Sequence, residues 1–272
     1  MQLTVLGCRS GMPAGGQPSS GYLVETGRTR MLLDCGPGIA TALSAVTEPA
    51  ALDAVVISHL HADHCYDLLP LGKSLISGVL DFPGGPSTGG RELRPVPLFV
   101  PAGARELFGR WAGLFPVTSM PMLDQAFERA FAVREYQPGD RFEIGDTTVG
   151  LHELRHVLPN CGIRVETPNL TLAYTGDTGM TDATAKLAAE ADLLLAEATL
   201  SAPDTTGHGH LCGGDAGRVA ARAGARELML THFACTERDW LDALYEDAAA
   251  EFGGPIRLAR AGDVVELSPR PR

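Results

Sequence analysis

Long apolar runs, paired cysteines and an excess of basic residues are all missing from this sequence of 272 residues. No run approaches the roughly 20 apolar residues that a membrane-spanning helix needs. The N-terminus, MQLTVLGCRSG, lacks the basic start and the long apolar stretch of a signal peptide. The sequence therefore predicts neither a membrane span nor an export signal, and we expect a cytoplasmic protein.

The cysteines are scattered, and no two of the six form a C-x-x-C pair. Zinc ribbons and redox motifs use such pairs, and disulfides are rare in reducing compartments. We therefore expect the cysteines to be small buried hydrophobic side chains. This expectation includes Cys65 and Cys235, which lie close to histidines in the sequence.

Basic residues are outnumbered, with 22 Lys and Arg against 33 Asp and Glu and a net charge of −11. A protein that holds a long polyanion normally presents many basic side chains to the phosphates. The charge balance therefore argues against an extended nucleic acid as a partner. It is compatible with a small anionic substrate that faces a metal ion.

Strands and helices alternate along the chain, with glycine-rich turns between them. Apolar and β-branched runs predict strands near residues 3–7, 20–26, 29–36, 52–58, 98–103, 140–154, 161–167, 170–177, 191–199, 227–233 and 263–268. Helical spacing predicts helices near 38–46, 67–79, 181–190, 214–224 and 237–251, and a mostly helical stretch over 104–132. This order favours an α/β fold in which two sheets pack face to face with helices outside.

No break in composition marks a linker between the two halves. We therefore expect a single domain over residues 1–272, built from two similar halves. Residues 81–97, DFPGGPSTGGRELRPVP, are too rich in Gly and Pro for a regular element. We interpret them as a long loop, either a lid or a disordered excursion, and assign no role to it.

Histidine is scarce, yet three of the eight histidines lie between positions 59 and 64, directly after an apolar run. In an extended segment, His59 and His61 point the same way, because side-chain direction alternates. Two imidazoles that converge on one point are typical of a metal site. Asp63 and His64 follow where the chain bends into a helix, and their side chains can converge on a second point.

Further ligand candidates stand at the ends of predicted strands elsewhere in the chain. We assign one metal ion to His59, His61 and His156, and a second ion to Asp63, His64 and His232. Asp177 would bridge the two ions, since a carboxylate has two oxygens. A lone H-x-H is often structural, but H-x-H-x-D-H after a buried strand is difficult to obtain by chance.

Two such ions would act on a shared water and on the substrate. Catalytic zinc keeps a position open for water, and paired ions roughly 3.5–4 Å apart clamp the attacking and leaving oxygens. With two carboxylates and a shared hydroxide, the centre would carry one net positive charge and favour a monoanionic ester such as a phosphodiester. Zinc is the expected metal, although imidazole and carboxylate also suit manganese and iron.

Several motifs resemble those of the metallo-β-lactamase-fold hydrolases. They are SHLHADH, RHVLPNCGI, YTGDTG and LTHF, together with LTVLGCRSG and LLDCGPG near the N-terminus. The resemblance spans nearly the whole chain and implies an αββα sandwich with a dinuclear centre between the sheets. It also allows a homodimer, since related proteins often dimerise.

The stretch AEATLSAPDTTGHGHLCGGDAG resembles the branch that contains ribonuclease Z and related phosphodiesterases. The resemblance implies that Glu197 orients His210, which then protonates the departing alkoxide, while Asp63 orients the attacking hydroxide. The alternative is that Glu197 binds turn amides and His210 is a surface residue. His208 and His152 receive no role.

The expected function is hydrolysis of small phosphodiesters such as 3′,5′-cyclic nucleotides. Ribonuclease Z enzymes of this branch usually carry a long tRNA-gripping arm between the positions of His156 and Asp177, and here that gap is short. Exported metallo-β-lactamases lack the bridging aspartate. The alternatives are a tRNA 3′-processing endoribonuclease and a thioesterase or lactonase that uses the same metal ligands. A non-catalytic binding module is disfavoured, because no ligand is missing.

Overall fold

Two seven-stranded sheets form the centre of the computed structural model, which describes residues 1–81 and 88–269. The first sheet, in spatial order, consists of β14 (Val264–Glu266), β1 (Gln2–Gly7), β2 (Gly21–Glu25), β3 (Arg30–Leu33), β4 (Ala54–Val56), β5 (Val96–Pro101) and β6 (Phe131–Tyr136). The second consists of β13 (Ile256–Leu258), β12 (Leu228–Thr231), β11 (Leu193–Glu197), β10 (Thr171–Tyr174), β9 (Asn160–Glu166), β8 (Thr147–Leu154) and β7 (Arg141–Ile144).

Eight α-helices flank the sheets in the described part of the chain. They are α1 (Ile39–Val46), α2 (Ala62–Cys65), α3 (Leu68–Ser77), α4 (Ala104–Ala112), α5 (Ala126–Arg129), α6 (Asp182–Leu187), α7 (Gly213–Ala223) and α8 (Arg238–Glu251). Short 3₁₀ helices span Pro49–Ala51 and Pro121–Gln125. Within residues 1–81 and 88–269, no helix combines the length and the apolar character needed to cross a membrane.

Alternation along the strands divides the apolar side chains between two cores. Met31 and Leu33 of β3 contribute to the core that also contains second-sheet residues, whereas Leu32 contributes to the core under α1, α3 and α4. Adjacent side chains of a strand point to opposite faces, and strands covered on both faces are apolar throughout. This explains the continuous apolar run at β4. The predicted α/β sandwich, with two sheets between outer helices, is confirmed.

Two strands were not predicted, and one predicted helical stretch is partly wrong. Residues 104–132 contain α4 and the short α5, but residues 113–120 are irregular and β6 begins at Phe131. β6 pairs in parallel with β5 and exposes Arg134 and Glu135, so it lacks the apolar pattern of a buried strand. β13 is only three residues long. Tertiary pairing determines both strands.

The predicted loop over 81–97 ends earlier than expected, because β5 already begins at Val96. Residues 82–87 of that loop lie outside the described part of the chain. All six cysteines are free, and the prediction of buried side chains is confirmed for five of them but is wrong for Cys235, which is only partly buried.

The sheet topology places several strand ends at one edge. In the second sheet, β10 pairs in parallel with β11 and β11 with β12, while β8 runs in the same direction as β10 through two antiparallel pairings. In the first sheet, β3 and β4 are also parallel. Polar residues that follow these strands can therefore meet, as they do in the centre described next.

Candidate metal centre

The predicted ligands lie in loops that follow strands at this common edge. His59 and His61 are in the connection between β4 and α2, and the first turn of α2 carries Asp63 and His64. His156 follows β8, Asp177 follows β10 and His232 follows β12. His232 has a φ of 58°, a strained value for a residue with a side chain.

Three imidazoles and a carboxylate form the first of two ligand groups. The Nδ1 atom of His61 lies 3.0 Å from Nε2 of His59 and 3.1 Å from Nε2 of His156. Oδ2 of Asp177 lies 3.7 Å from Nε2 of His59 and 3.9 Å from Nε2 of His156. All four potential donor atoms fall within 4.8 Å of one another.

The second group contains the other oxygen of Asp177. Nε2 of His232 is 3.2 Å from Nε2 of His64 and 3.2 Å from Oδ2 of Asp63. Oδ1 of Asp177 is 3.3 Å from Nε2 of His64. The two oxygens of Asp177 thus face different groups, as expected for a carboxylate between two ions. The structure brings all seven predicted ligands together in the predicted partition, and their role as ligands stays a prediction.

Hydrogen bonds at the outer side of two rings fix Nδ1 as a donor and turn Nε2 toward the ligand groups. Nδ1 of His156 is 2.9 Å from the carbonyl oxygen of Gly209, and Nδ1 of His64 is 2.7 Å from Oδ2 of Asp34. These oxygens only accept hydrogen bonds, so Nδ1 donates and Nε2 of each neutral ring holds a lone pair.

A cation would satisfy these converging lone pairs. Oδ1 of Asp177 is buried and forms no hydrogen bond with any described residue. Burial lowers the pKa of His59 well below its usual value, which favours the neutral ring that binds metals. Burial tends to raise the pKa of Asp177, but the neighbouring His232 and His64 lower it well below its usual range. The donor set fits divalent metal ions.

His210 and Glu197 lie beside the two groups. Oε1 of Glu197 accepts hydrogen bonds from Nδ1 of His210 at 2.9 Å and from the amide of Thr178 at 2.8 Å. Nδ1 of His210 is 4.0 Å from Oδ2 of Asp177, and 14% of the His210 side chain is exposed. Burial lowers the pKa of His210, but the hydrogen bond and charge of Glu197 raise it above its usual value. Glu197 both orients His210 and binds turn amides.

Comparison with known proteins identifies the family. Residues 29–233 match the beta-lactamase superfamily domain. The probable metallo-hydrolase YhfI of Bacillus subtilis is 30% identical over 98% of this chain and 100% of its own length. The chain belongs to the metallo-β-lactamase superfamily.

Other relatives and solved structures support this membership. The ribonuclease Z of Mycobacterium bovis is 30% identical over 99% of both chains. The crystal structure of YhfI has a TM-score of 0.81 at 28% identity and covers 97% of this chain and 98% of its own. The Zn²⁺-bound PqqB of Methylobacterium extorquens has the same fold, with a TM-score of 0.68 at 18% identity and coverage of 98% and 100%. The predicted superfamily is confirmed, and so is the predicted class of metal-dependent hydrolase.

Within this superfamily fold, Asp34 supports the centre but is not among the predicted site residues. Its carboxylate is fully buried and contacts Nδ1 of His64, the amide and hydroxyl of Ser58 and the hydroxyl of Tyr174, at 2.6–2.8 Å. Asp34 directly follows β3 and has a φ of 57°. A sequence signal was available, since an aspartate after an apolar strand is also the setting of Asp177.

Thr199 is a second unpredicted residue and connects His232 to Glu197. Its hydroxyl lies 2.6 Å from Oε2 of Glu197 and 2.8 Å from Nδ1 of His232. The hydroxyl has one hydrogen, which it donates to the carboxylate, so it accepts from Nδ1–H of His232. That arrangement leaves the lone pair of Nε2 directed at the second ligand group.

Replacing Thr199 by valine is expected to weaken the second metal site. Loss of the partner that holds a ligand histidine typically lowers metal affinity by about 10–100-fold. Competition with a chromophoric chelator should show that one ion is bound more weakly and the other with near wild-type affinity. Thr199→Ser should restore the affinity for the weakly bound ion. Thr147→Val is the matched control, because Thr147 is also buried and donates only to the Ile144 carbonyl. Two ions bound as tightly in Thr199→Val as in the wild type would contradict this role.

The loop that carries His210 is held by Asp204. Its carboxylate accepts hydrogen bonds from the amides of Thr206, Gly207 and Gly209. Gly209 has a φ of +98°, and a Cβ atom there would lie 2.5 Å from the carbonyl oxygen of Arg155, so glycine is required. The loop thereby presents the Gly209 carbonyl to His156 and places His210 next to the centre. His208 stacks on His210 with ring centroids 5.0 Å apart.

Proposed function

We propose that this protein is a dinuclear metal-dependent phosphodiesterase that hydrolyses small phosphodiesters such as 3′,5′-cyclic nucleotides. The observation that carries the proposal is the position of His210, which Glu197 holds beside the two ligand groups. Ester hydrolysis at phosphorus expels an alkoxide, and a poised imidazole can protonate it. Thioester hydrolysis, which expels a thiolate, has less need of such a donor.

The residues for two ions are the seven already described. His59, His61 and His156 would hold one ion, Asp63, His64 and His232 the other, with Asp177 between them. We favour zinc, because imidazole and carboxylate donors suit it and because PqqB, of the same fold, binds Zn²⁺. When bound, such ions act as Lewis acids, which lower the pKa of a water molecule and stabilise charge on phosphoryl oxygens.

The side chains of the protein supply orientation and proton transfer. Asp63 accepts a hydrogen bond from the amide of Gly11 at 2.7 Å through Oδ2, which fixes its carboxylate within the second ligand group, where it would orient the attacking water. His210 keeps its Nδ1 on Glu197, so its other nitrogen, which has no partner among the described residues, is available to the leaving oxygen. The proton passes from this nitrogen to the alkoxide, and Glu197 stabilises the charged form of the ring before transfer.

The similarity to ribonuclease Z makes tRNA 3′-processing the second candidate function. Two features disfavour it. Residues 160–174 form β9 and β10 of a plain hairpin, so no long arm stands between His156 and Asp177. The net charge of −11 also opposes a large tRNA footprint. A small anionic substrate agrees better with both features.

Replacing His210 by alanine is expected to slow substrates with poor leaving groups selectively. Loss of a general acid lowers the rate by roughly 10²–10⁴-fold, so hydrolysis of cyclic AMP should fall by that factor. Bis-p-nitrophenyl phosphate, whose leaving group needs no proton, should be much less affected. Metal content should equal that of the wild type. His152→Ala is the control, because His152 lies on β8 and outside both ligand groups.

Two results would contradict the proposal. Equal losses with the two substrates would remove His210 from the role of acid. A wild-type enzyme that processes precursor tRNA, with affinity falling steeply as salt rises, or that cleaves only thioesters or lactones, would assign the centre to another function. After metal analysis of the purified protein, the assay therefore includes small phosphodiesters, precursor tRNA, thioesters and lactones.

A further inference from the structure

A cleft beside the metal centre is lined by three arginines, Arg9, Arg238 and Arg260, and has a volume of about 610 Å³. This is an unusual concentration of positive charge in a chain with a net charge of −11. Within the described part of the chain, the lining includes a single acidic side chain, Asp242, which lies 3.5 Å from Nε of Arg238. The side chains that line the cleft therefore carry a net positive charge.

Arg9 is anchored in the wall of this cleft and has unused hydrogen-bonding capacity. Its Nη1 donates to the carbonyl oxygen of Phe233 at 2.8 Å, and the two residues pair in a parallel bridge. Its Nε is buried and has no hydrogen-bond partner among the described residues. A buried N–H without a partner is costly, and an oxyanion ligand is its strongest acceptor.

Arg260 supplies a second available guanidinium. Its backbone amide donates to Oδ2 of Asp263 at 3.0 Å, but its side chain makes no hydrogen bond or ion pair with any described residue. Arg260 is exposed at the mouth of the cleft, next to the buried Ala259. Guanidinium groups bind the oxygens of phosphates and carboxylates in bidentate geometry, so an oxyanion is the ligand class that fits.

The cleft and the metal centre share a wall. Residues 8–17 line the cleft through Cys8, Arg9, Gly15 and Gln17, and between them the amide of Gly11 binds the carboxylate of Asp63. On the other side, Phe233 lines the cleft and directly follows His232. Two segments that line the cleft therefore also carry or contact residues of the metal centre.

We propose that this cleft binds a second phosphate of the substrate, separate from the phosphodiester that is cleaved. The inference rests on the proposed function and narrows it, since the preferred substrate is then a phosphodiester with an additional phosphate, such as a dinucleotide with a terminal 5′-phosphate. A cyclic mononucleotide leaves the cleft empty and is a poorer substrate.

The test compares the dinucleotide ApA with its 5′-phosphorylated form, pApA. Wild-type enzyme should cleave pApA with a kcat/KM about tenfold higher than ApA, the effect of one charge-assisted contact. Arg260→Gln should abolish most of this preference, and Arg238→Gln should reduce it. Arg110→Gln is the matched control, because Arg110 is exposed on α4 and does not line the cleft. It should keep the full preference.

The outcomes separate this inference from the proposed function. If the wild type cleaves both dinucleotides with equal kcat/KM, or if Arg260→Gln and Arg110→Gln lower the preference equally, the cleft does not bind phosphate. If the wild type cleaves neither dinucleotide, nor cyclic AMP, nor bis-p-nitrophenyl phosphate, the proposed phosphodiesterase function itself is wrong.

Discussion

Replacing Asp177 by alanine is expected to strip metal from the protein and to lower its hydrolytic activity by roughly 10³-fold or more. Asp177 is the only described residue that belongs to both ligand groups, with Oδ2 facing one and Oδ1 the other. Its removal leaves the first group with imidazoles alone and the second with Asp63 as its one carboxylate, so less negative charge offsets the bound dications. The affinity of the protein for both ions should therefore fall together.

Metal analysis by mass spectrometry and activity with bis-p-nitrophenyl phosphate provide the measurement. Asp182→Ala is the control, because Asp182 is exposed at the start of α6 and pairs only with Arg222 in the described structure. Asp177→Asn should lose less metal than Asp177→Ala, since its amide keeps one oxygen of similar geometry. Asp177→Ala protein that retained two ions per chain would refute the bridging position.

The candidate metal ligands could be found in the sequence because their chemistry is rare in it. Few histidines are present, and those that matter follow apolar runs, where a polar cluster has no structural explanation. The candidate ligands all stand at the ends of predicted strands, so the sequence alone could assign these scattered residues to one centre. The partition into two groups followed from the side-chain direction of His59 and His61 against Asp63 and His64, and the structure has the same partition.

The supporting residues were not predictable, because their partners are distant in sequence. The hydroxyl of Tyr136 donates to the carbonyl oxygens of Ile57 and Ser58, which fixes the segment before His59. Tyr136 ends β6, a strand without an apolar pattern that forms only by pairing with β5. Likewise, the arginine-lined cleft joins residues from both ends of the chain. Such sites depend on tertiary contacts that local patterns do not encode.

Replacing Asp34 by alanine is expected to destabilise the fold and the metal centre together. The carboxylate is fully buried and is the hydrogen-bond partner of His64, Ser58 and Tyr174. Removing one partner of a buried charged network costs roughly 3–5 kcal/mol of unfolding free energy. In a chain of this size, the melting temperature should fall on the order of 10 °C.

Asp53→Ala is the matched control for stability. Asp53 precedes β4 and accepts the amide of Arg30 at the start of β3, whereas Asp34 follows β3 and accepts the amide of Ser58. The two aspartates thus bind backbone amides at opposite ends of the same pair of strands. Asp53→Ala should lower the free energy of unfolding by about 1 kcal/mol and leave the metal affinity unchanged. Equal losses of stability in the two variants would contradict a special role for Asp34.

Asp34→Asn separates packing from control of the His64 ring. Asparagine fills the same volume and can still accept from some neighbours, so thermal unfolding should be affected less than in Asp34→Ala. However, an amide nitrogen facing Nδ1 of His64 favours the ring form whose hydrogen is on Nε2, the atom directed at the second ligand group. Chelator competition should therefore show metal affinity lowered by about 10–100-fold in a protein that is otherwise well folded. Unchanged affinity in Asp34→Asn would mean that Asp34 acts through packing alone.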